Sequence, residues 1–76
     1  MKDMFRYQVV KMTNTEEGYI CYGMLAETMI NGRWHQTVLI SDISCNEQFV
    51  SELAAKCSSG QLDPIHLRDV VIDAIS

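Results

Sequence analysis

Between Gly18 and Ile43 the chain carries apolar residues at alternate positions on both sides of a centrally placed Asn31-Gly32 pair. Asn-Gly suits the type I′ turn of a two-residue hairpin loop, because both central residues take positive φ. The pattern predicts a long β-hairpin with arms over 19–30 and 33–43. If the loop has two residues, Ile30 faces Arg33, and uninterrupted pairing continues 29 with 34 and 28 with 35. That register puts Cys21, Gly23, Leu25, Met29, Trp34, Val38 and Ile40 on one face, with Glu27 opposite Gln36. The other face takes Ile20, Tyr22, Met24, Ala26, Ile30, Leu39 and Ile43, with Thr28 opposite His35. A sheet with one wet face would show a polar row along one side, and neither row is polar throughout. Gly23 marks either a close backbone approach or a bulge that reverses the faces beyond it.

Upstream, FRYQVVKM (5–12) sets Phe5, Tyr7 and Val9 against Arg6, Gln8 and Val10, the period of a strand. The polar TNTEEG segment (13–18) reads as a turn. Downstream the period changes. Ser44 with Glu47 three residues later reads as a capping box opening a helix over 45–58. Phe49, Val50, Leu53, Ala54 and Cys57 form its apolar stripe, and Glu52 and Lys56 stand outside it at i, i+4. Gly60 is expected to end the helix in a left-handed conformation. Asp63-Pro64 supplies an N-cap and a proline at N1 for a second helix over 64–75, with Leu67, Val70, Val71, Ala74 and Ile75 buried. The expected fold is α+β: a three-stranded antiparallel meander followed by two C-terminal helices on one face (βββαα), in a single domain, 1–76.

Seventy-six residues is near the lower limit for a stable single core. Two short helices cover one sheet face, so the other face or an edge strand is expected to meet a partner. Six basic residues against ten acidic ones, net −4, argue against direct nucleic-acid binding. They leave room for an acidic inhibitor of a nucleic-acid enzyme, of the kind mobile elements carry. Lys2 and Asp3 open no apolar signal-like run, and no apolar stretch approaches the roughly 20 residues of a membrane span. Cys21, Cys45 and Cys57 are odd in number and irregularly spaced, which fits reduced thiols in a cytoplasmic protein better than a disulfide framework.

Candidate chemistry is sparse. His66, Asp69 and Asp73 share one face of the second helix and are the weak candidates for a metal or ligand sensor. Cys21, His35, Cys45, Cys57 and His66 lack the close ligand pairs of structural zinc sites. Cys45, expected in the first helical turn, is a candidate reactive thiol. His35, Ser41 and Asp42 supply triad residue types without any indication of geometry. Tyr7, Tyr19, Tyr22 and Trp34 are a candidate stacking row for nucleobases, without the basic residues such a role needs. The scattered glycines build no phosphate loop. No cofactor is indicated, and no titratable pair demands an enzymatic role. Met4, Met12, Met24 and Met29 lie in the strand region, and methionine is frequent at adaptable binding surfaces. The resulting interaction candidates are Tyr22, Met24, Met29, Trp34 and Leu39, with a protein partner or a second copy of the chain as the occupant.

YGMLAE (22–27), VLISDIS (38–44) and LDPIHLRDVVIDAI (62–75) resemble a family of short uncharacterised bacterial proteins, found mainly in Gram-positive anaerobes. The resemblance spans 7–75. It implies an intact cytosolic domain, and it brings no assigned activity, substrate or catalytic residue.

Overall fold

The computed structural model describes residues 4–75, so Lys2 and Asp3 of the expected polar lead-in lie outside it. Strands β1 (Phe5–Asn14), β2 (Tyr19–Ile30) and β3 (Arg33–Ser44) form an antiparallel sheet in the order β1-β2-β3. Helix α1 (Glu47–Ser59) follows, then a 3-10 turn (Pro64–His66) that runs into α2 (Leu67–Ile75). The βββαα order is as the sequence predicts. Asn31 and Gly32 have φ of 52° and 78°, as a type I′ loop requires, and Ile30 pairs with Arg33.

The β2–β3 pairing then departs from an uninterrupted ladder. Glu27 pairs with Gln36 but Ala26 pairs with Val38, so Thr37 is an extra residue in β3. A bulge of this kind exchanges the faces of everything beyond it. Val38 and Ile40 therefore join Met24 and Ala26 on the inner, helix-covered face, while Leu39 moves to the outer one. This corrects both faces expected from an unbroken register. A second irregularity lies between Met24, paired with Ile40, and Tyr22, paired with Ser44; it sets Ser41, Asp42 and Ile43 against Gly23 alone. Asp42 takes a φ of 55° there, and Ile43 returns to the inner face. Gly23 permits the expected close approach, while the reversal of faces lies at Thr37, since the irregularity opposite Gly23 keeps Ile40 and Ser44 on the same side. A Cβ at this position would stand 2.3 Å from the Ile40 carbonyl oxygen and 3.0 Å from Ser41 Cα.

The core lies between the inner face and the helices. Tyr7, Met24, Ala26, Leu53, Ala54, Cys57, Leu67 and Val71 pack together, flanked by Phe5, Val9, Val38, Ile40 and Leu62. Met24, Val50 and Leu67 are fully buried, and each such apolar side chain stabilises the fold by roughly 1.5–3 kcal/mol. Ala74 and Ile75, expected in the buried stripe of α2, are exposed. A helix of 13 residues is about 20 Å long, whereas a strand of 12 residues spans about 40 Å. In a molecule of 45 × 24 × 18 Å, the helical layer thus leaves the sheet ends overhanging, and Ile20 and Ile30 remain exposed.

The helix ends differ from expectation in instructive ways. Asn46 is the α1 N-cap, its side chain accepting from Phe49 N–H at 3.2 Å, while Ser44 Oγ accepts from Asn46 N–H at 3.0 Å. No Ser44–Glu47 capping box forms, and Cys45 precedes the helix instead of occupying its first turn. At the other end Gly60 is right-handed (φ −83°) and Gln61 takes the left-handed position (φ 49°). Gln61 N–H donates to the Ser58 carbonyl and Leu62 N–H to that of Cys57, the paired bonds of a Schellman motif. Glycine would bear that backbone more easily, but glutamine adds a side chain that reaches β1. Its Oε1 accepts from Phe5 N–H at 3.0 Å, and its Nε2 donates to the Phe5 carbonyl at 3.1 Å. Ser58 Oγ accepts from Tyr7 N–H at 3.2 Å. The α1 terminus thereby closes the first half of the β1 edge, a protection against unwanted strand pairing.

Asp63 caps the next element as expected, accepting from Ile65 N–H, but Pro64 starts a 3-10 turn before α2 begins at Leu67.

Candidate interaction surface

The outer sheet face has two halves. Towards the hairpin loop, Arg6 on β1 reaches across Glu27 on β2 to Trp34 on β3. Its guanidinium stands 4.3 Å from the centre of the Trp34 ring, and its Nη2 and Nε both lie 2.9 Å from Glu27 Oε1. Gln8 Nε2 donates to the same oxygen at 2.8 Å. Glu27 is only 8% exposed, a burial that a carboxylate tolerates when it is paired and hydrogen-bonded. The Arg6 stack on Trp34 covers it, in the planar geometry at which guanidinium groups excel. This half of the outer face is closed by its own side chains.

The other half has no such cover. Val10, Leu25 and Leu39 lie here, with Met12 beside Gly23, where a Cβ would meet Met12 Cε at 2.8 Å. Leu39 pairs with Leu25 and is 56% exposed. No described element packs over it. The edges differ too. Thr37 and the stretch opposite Gly23 break the β3 edge, while β1 pairs with β2 over ten unbroken rungs.

Against this geometry the five interaction candidates separate. Leu39, Met29 and Trp34 lie on the outer face, with Trp34 engaged by Arg6. Met24 is 0% exposed and belongs to the core, so it is withdrawn from any surface. Tyr22 lies on the inner side, where its hydroxyl faces the Glu47 carboxylate; burial, followed by that carboxylate, pushes its pKa up. The four strand-region methionines form no single patch: Met4 is exposed and Met29 half-buried, while Met12 lies by Gly23 and Met24 is internal. Val10 and Leu25 were missed by sequence reasoning because only the bulge at Thr37 reveals that they share a face with Leu39, and Arg6 because its partners Glu27 and Trp34 stand on two other strands.

The remaining candidates do not assemble. Among the described residues no three His, Cys, Asp or Glu side chains are placed to hold a metal ion, so His66, Asp69 and Asp73 form no such cluster. His35 pairs with Thr28 near the loop, whereas Ser41 and Asp42 lie by Gly23, which dissolves the triad types. Tyr7 sits in the core and Trp34 under Arg6, so the aromatics make no stacking row. Tyr7 donates its hydroxyl hydrogen to the Leu62 carbonyl. Burial first, then Cys57 and Asp63, push its pKa up to about 12. Burial likewise raises the Cys57 thiol. A shallow groove of about 250 Å³ between α1 and α2, lined by Leu53, Lys56, Cys57, Gly60, Leu62 and Val70, falls short of the roughly 300–1,000 Å³ of ordinary ligand pockets. No helix among the described residues is long and apolar enough to cross a membrane.

No curated protein and no solved structure matches the chain. A family model does match, over residues 1–76, and the chain belongs to that family of unknown function, DUF6514.

Proposed function

We propose that the protein is a small non-enzymatic interaction module that pairs with a second copy of itself through the open half of its outer sheet face. The observation that carries this reading is Leu39, 56% exposed beside Leu25 on a sheet face that no described element covers. An exposed apolar patch rimmed by polar groups is the usual mark of a protein contact. Charge favours a like partner: the Arg6–Glu27 pair neutralises the adjoining half internally, so two copies meeting face to face bring no unmatched charge from it. A two-fold interface needs only a self-complementary patch. Half of a face within molecular extents of 45 × 24 Å is smaller than the roughly 800 Å² per partner of an ordinary stable contact, so the expected association is weak and concentration-dependent.

Sedimentation over a wide concentration range tests this. The native chain is expected to associate, and Leu39→Glu to weaken association at least about tenfold, about 1.4 kcal/mol, with its circular dichroism unchanged. A native chain that stays monomeric at the highest concentration and binds no apolar dye overturns the reading. A monomer that captures a different protein in a Leu39-dependent manner replaces self-association with a heterologous partner on the same face.

A further inference from the structure

The end of the sheet remote from the hairpin loop brings two of the three cysteines together. Tyr22 pairs with Ser44, the last paired residue of β3, and Cys21 and Cys45 are the chain neighbours on the far side of that pair. Met29 N–H donates to the Met4 carbonyl, so odd-numbered residues of β2 direct their backbone groups to β1. Cys21 therefore turns its backbone groups to β1, and Cys45 follows directly on the residue paired with Tyr22. A disulfide spans Cα atoms roughly 4.4–6.8 Å apart, a range that includes the roughly 4.5–5.5 Å between opposed antiparallel residues. Both thiols are free. Cys21 is 4% exposed, and Cys45 is open to solvent. The three-residue excursion of β3 opposite Gly23 brings in Asp42, and burial, followed by this carboxylate, pushes the Cys21 thiol pKa up. The third cysteine, Cys57, is buried in the core on the opposite side of the sheet.

We infer that Cys21 and Cys45 are a redox-closable pair, joined into an intramolecular disulfide by a peroxide. Cys45, the solvent-open thiol, is the one a peroxide reaches. Its thiolate attacks hydrogen peroxide, breaking the O–O bond and giving a sulfenic acid and hydroxide, which takes up the proton that Cys45 gave to solvent. The Cys21 sulfur then displaces the hydroxyl from Cys45, forming the S–S bond as the S–O bond breaks. Its proton passes to the departing hydroxide, which leaves as water. Two thiols are oxidised by two electrons and one peroxide is reduced to two waters. The pairing of an exposed thiol with a buried resolving thiol is the arrangement peroxide-sensing cysteines use. The burial and the Asp42 carboxylate that raise the Cys21 pKa keep it protonated until Cys45 has reacted. The closed bond ties β2 to the β3–α1 junction.

The test treats the reduced native chain with equimolar hydrogen peroxide at neutral pH, blocks remaining thiols, and maps linkages by mass spectrometry. The expected product is a monomer that has lost two hydrogens, with Cys21 linked to Cys45 and Cys57 recovered as a blocked thiol. Its melting temperature is expected to rise on the order of 10 °C, from the loop closed between the two positions. Cys45→Ser is expected to leave Cys21 reduced at the same peroxide dose. A linkage to Cys57, a Cys45–Cys45 dimer, or sulfinic acid on Cys45 beside a free Cys21 overturns the inference. The linkage map of the unmutated chain decides the matter even if a cysteine variant misfolds.

Discussion

The two ladders made by β2 are opposites. Towards β1, ten successive rungs run from Phe5–Thr28 to Asn14–Tyr19 without a break. Towards β3, the pairing slips twice within twelve residues, at Thr37 and opposite Gly23. The regular ladder belongs to the strand whose free edge is partly sealed from outside, by Gln61 and Ser58. The irregular one belongs to a strand whose edge is protected by its own bulges. A small sheet has two edges to defend against promiscuous pairing, and this chain uses a different device on each. The bulges have a second consequence. By exchanging faces at Thr37, β3 delivers Val38 and Ile40 to the core and leaves Leu39 outside, which creates the patch proposed as the contact surface.

The sharpest way to break the contrast is Gly23→Ala. A methyl group would meet the Ile40 carbonyl oxygen at 2.3 Å, and backbone cannot yield there without undoing the excursion at 41–43. The expected cost is about 3 kcal/mol or more, read as a fall in denaturation midpoint. An equal substitution at Gly18 or Gly32, where nothing lies near, meets only the strain of positive φ, about 1 kcal/mol.

Next in size is Tyr7, on the regular strand. Its folded pKa of about 12 exceeds the ordinary 10, so the neutral hydroxyl is favoured in the fold. The associated stability is fully present below pH 10 and is lost as pH rises from 10 through 12, by on the order of 2 kcal/mol. Tyr7→Phe is expected to be less stable at neutral pH by about 1–2 kcal/mol, because the Leu62 carbonyl loses its donor. The same variant should flatten the alkaline limb of the stability curve. An unchanged limb would remove Tyr7 as its source.

Deletion of Thr37 probes the irregular ladder more gently. Gln36 already faces outward and Val38 inward, so removing the extra residue restores plain alternation while keeping Val38 on Ala26. The loss is the 2.8 Å contact between the Thr28 and Thr37 hydroxyls. The expected change is about 1 kcal/mol or less, with the Val38 and Ile40 amide shifts of an intact core. Wholesale loss of the β3 signals would mean that the bulge itself is needed.

The smallest effect in stability is expected for Gln61→Gly. Relief of the left-handed strain at Gln61, about 1 kcal/mol, opposes loss of the two bonds to Phe5 and the one to the Ser58 carbonyl, all at an exposed site, so the net change should be within about 0.5 kcal/mol. Hydrogen exchange at the Phe5 amide should nevertheless rise, because its acceptor is gone. An unchanged exchange rate would deny Gln61 its part in closing the edge.

Much of the fold was legible because its signals are local. Asn31-Gly32 marks a turn by backbone conformation alone, Asp63-Pro64 marks a helix entry, and the shift from period two to period 3.6 separates sheet from helices. The misreadings share a cause. Ser44 carries a usual N-cap residue type, yet Asn46 holds that role, and Gly60 does cap α1 while the left-handed position falls to Gln61, because cap geometry also depends on what the neighbouring strand needs. The face assignment failed beyond Gln36, since a bulge costs one residue and leaves no compositional mark; threonine at 37 is as ordinary in a strand as in a bulge. The contact surface was half-legible for that reason: Met29, Trp34 and Leu39 stand on the outer face, while Met24 went to the core.

The sequence by itself determined the element order, the hairpin loop and the presence of more apolar strand surface than two short helices cover, because each follows from local conformational preference and side-chain period. Only the tertiary structure decided which face is inner, that Arg6, Glu27 and Trp34 close half of the outer one, and that Cys21 and Cys45 adjoin the Tyr22–Ser44 pair. Those outcomes depend on register, and register is set by how β3 settles onto Gly23 and the core, a long-range balance of packing that no short stretch of chain encodes.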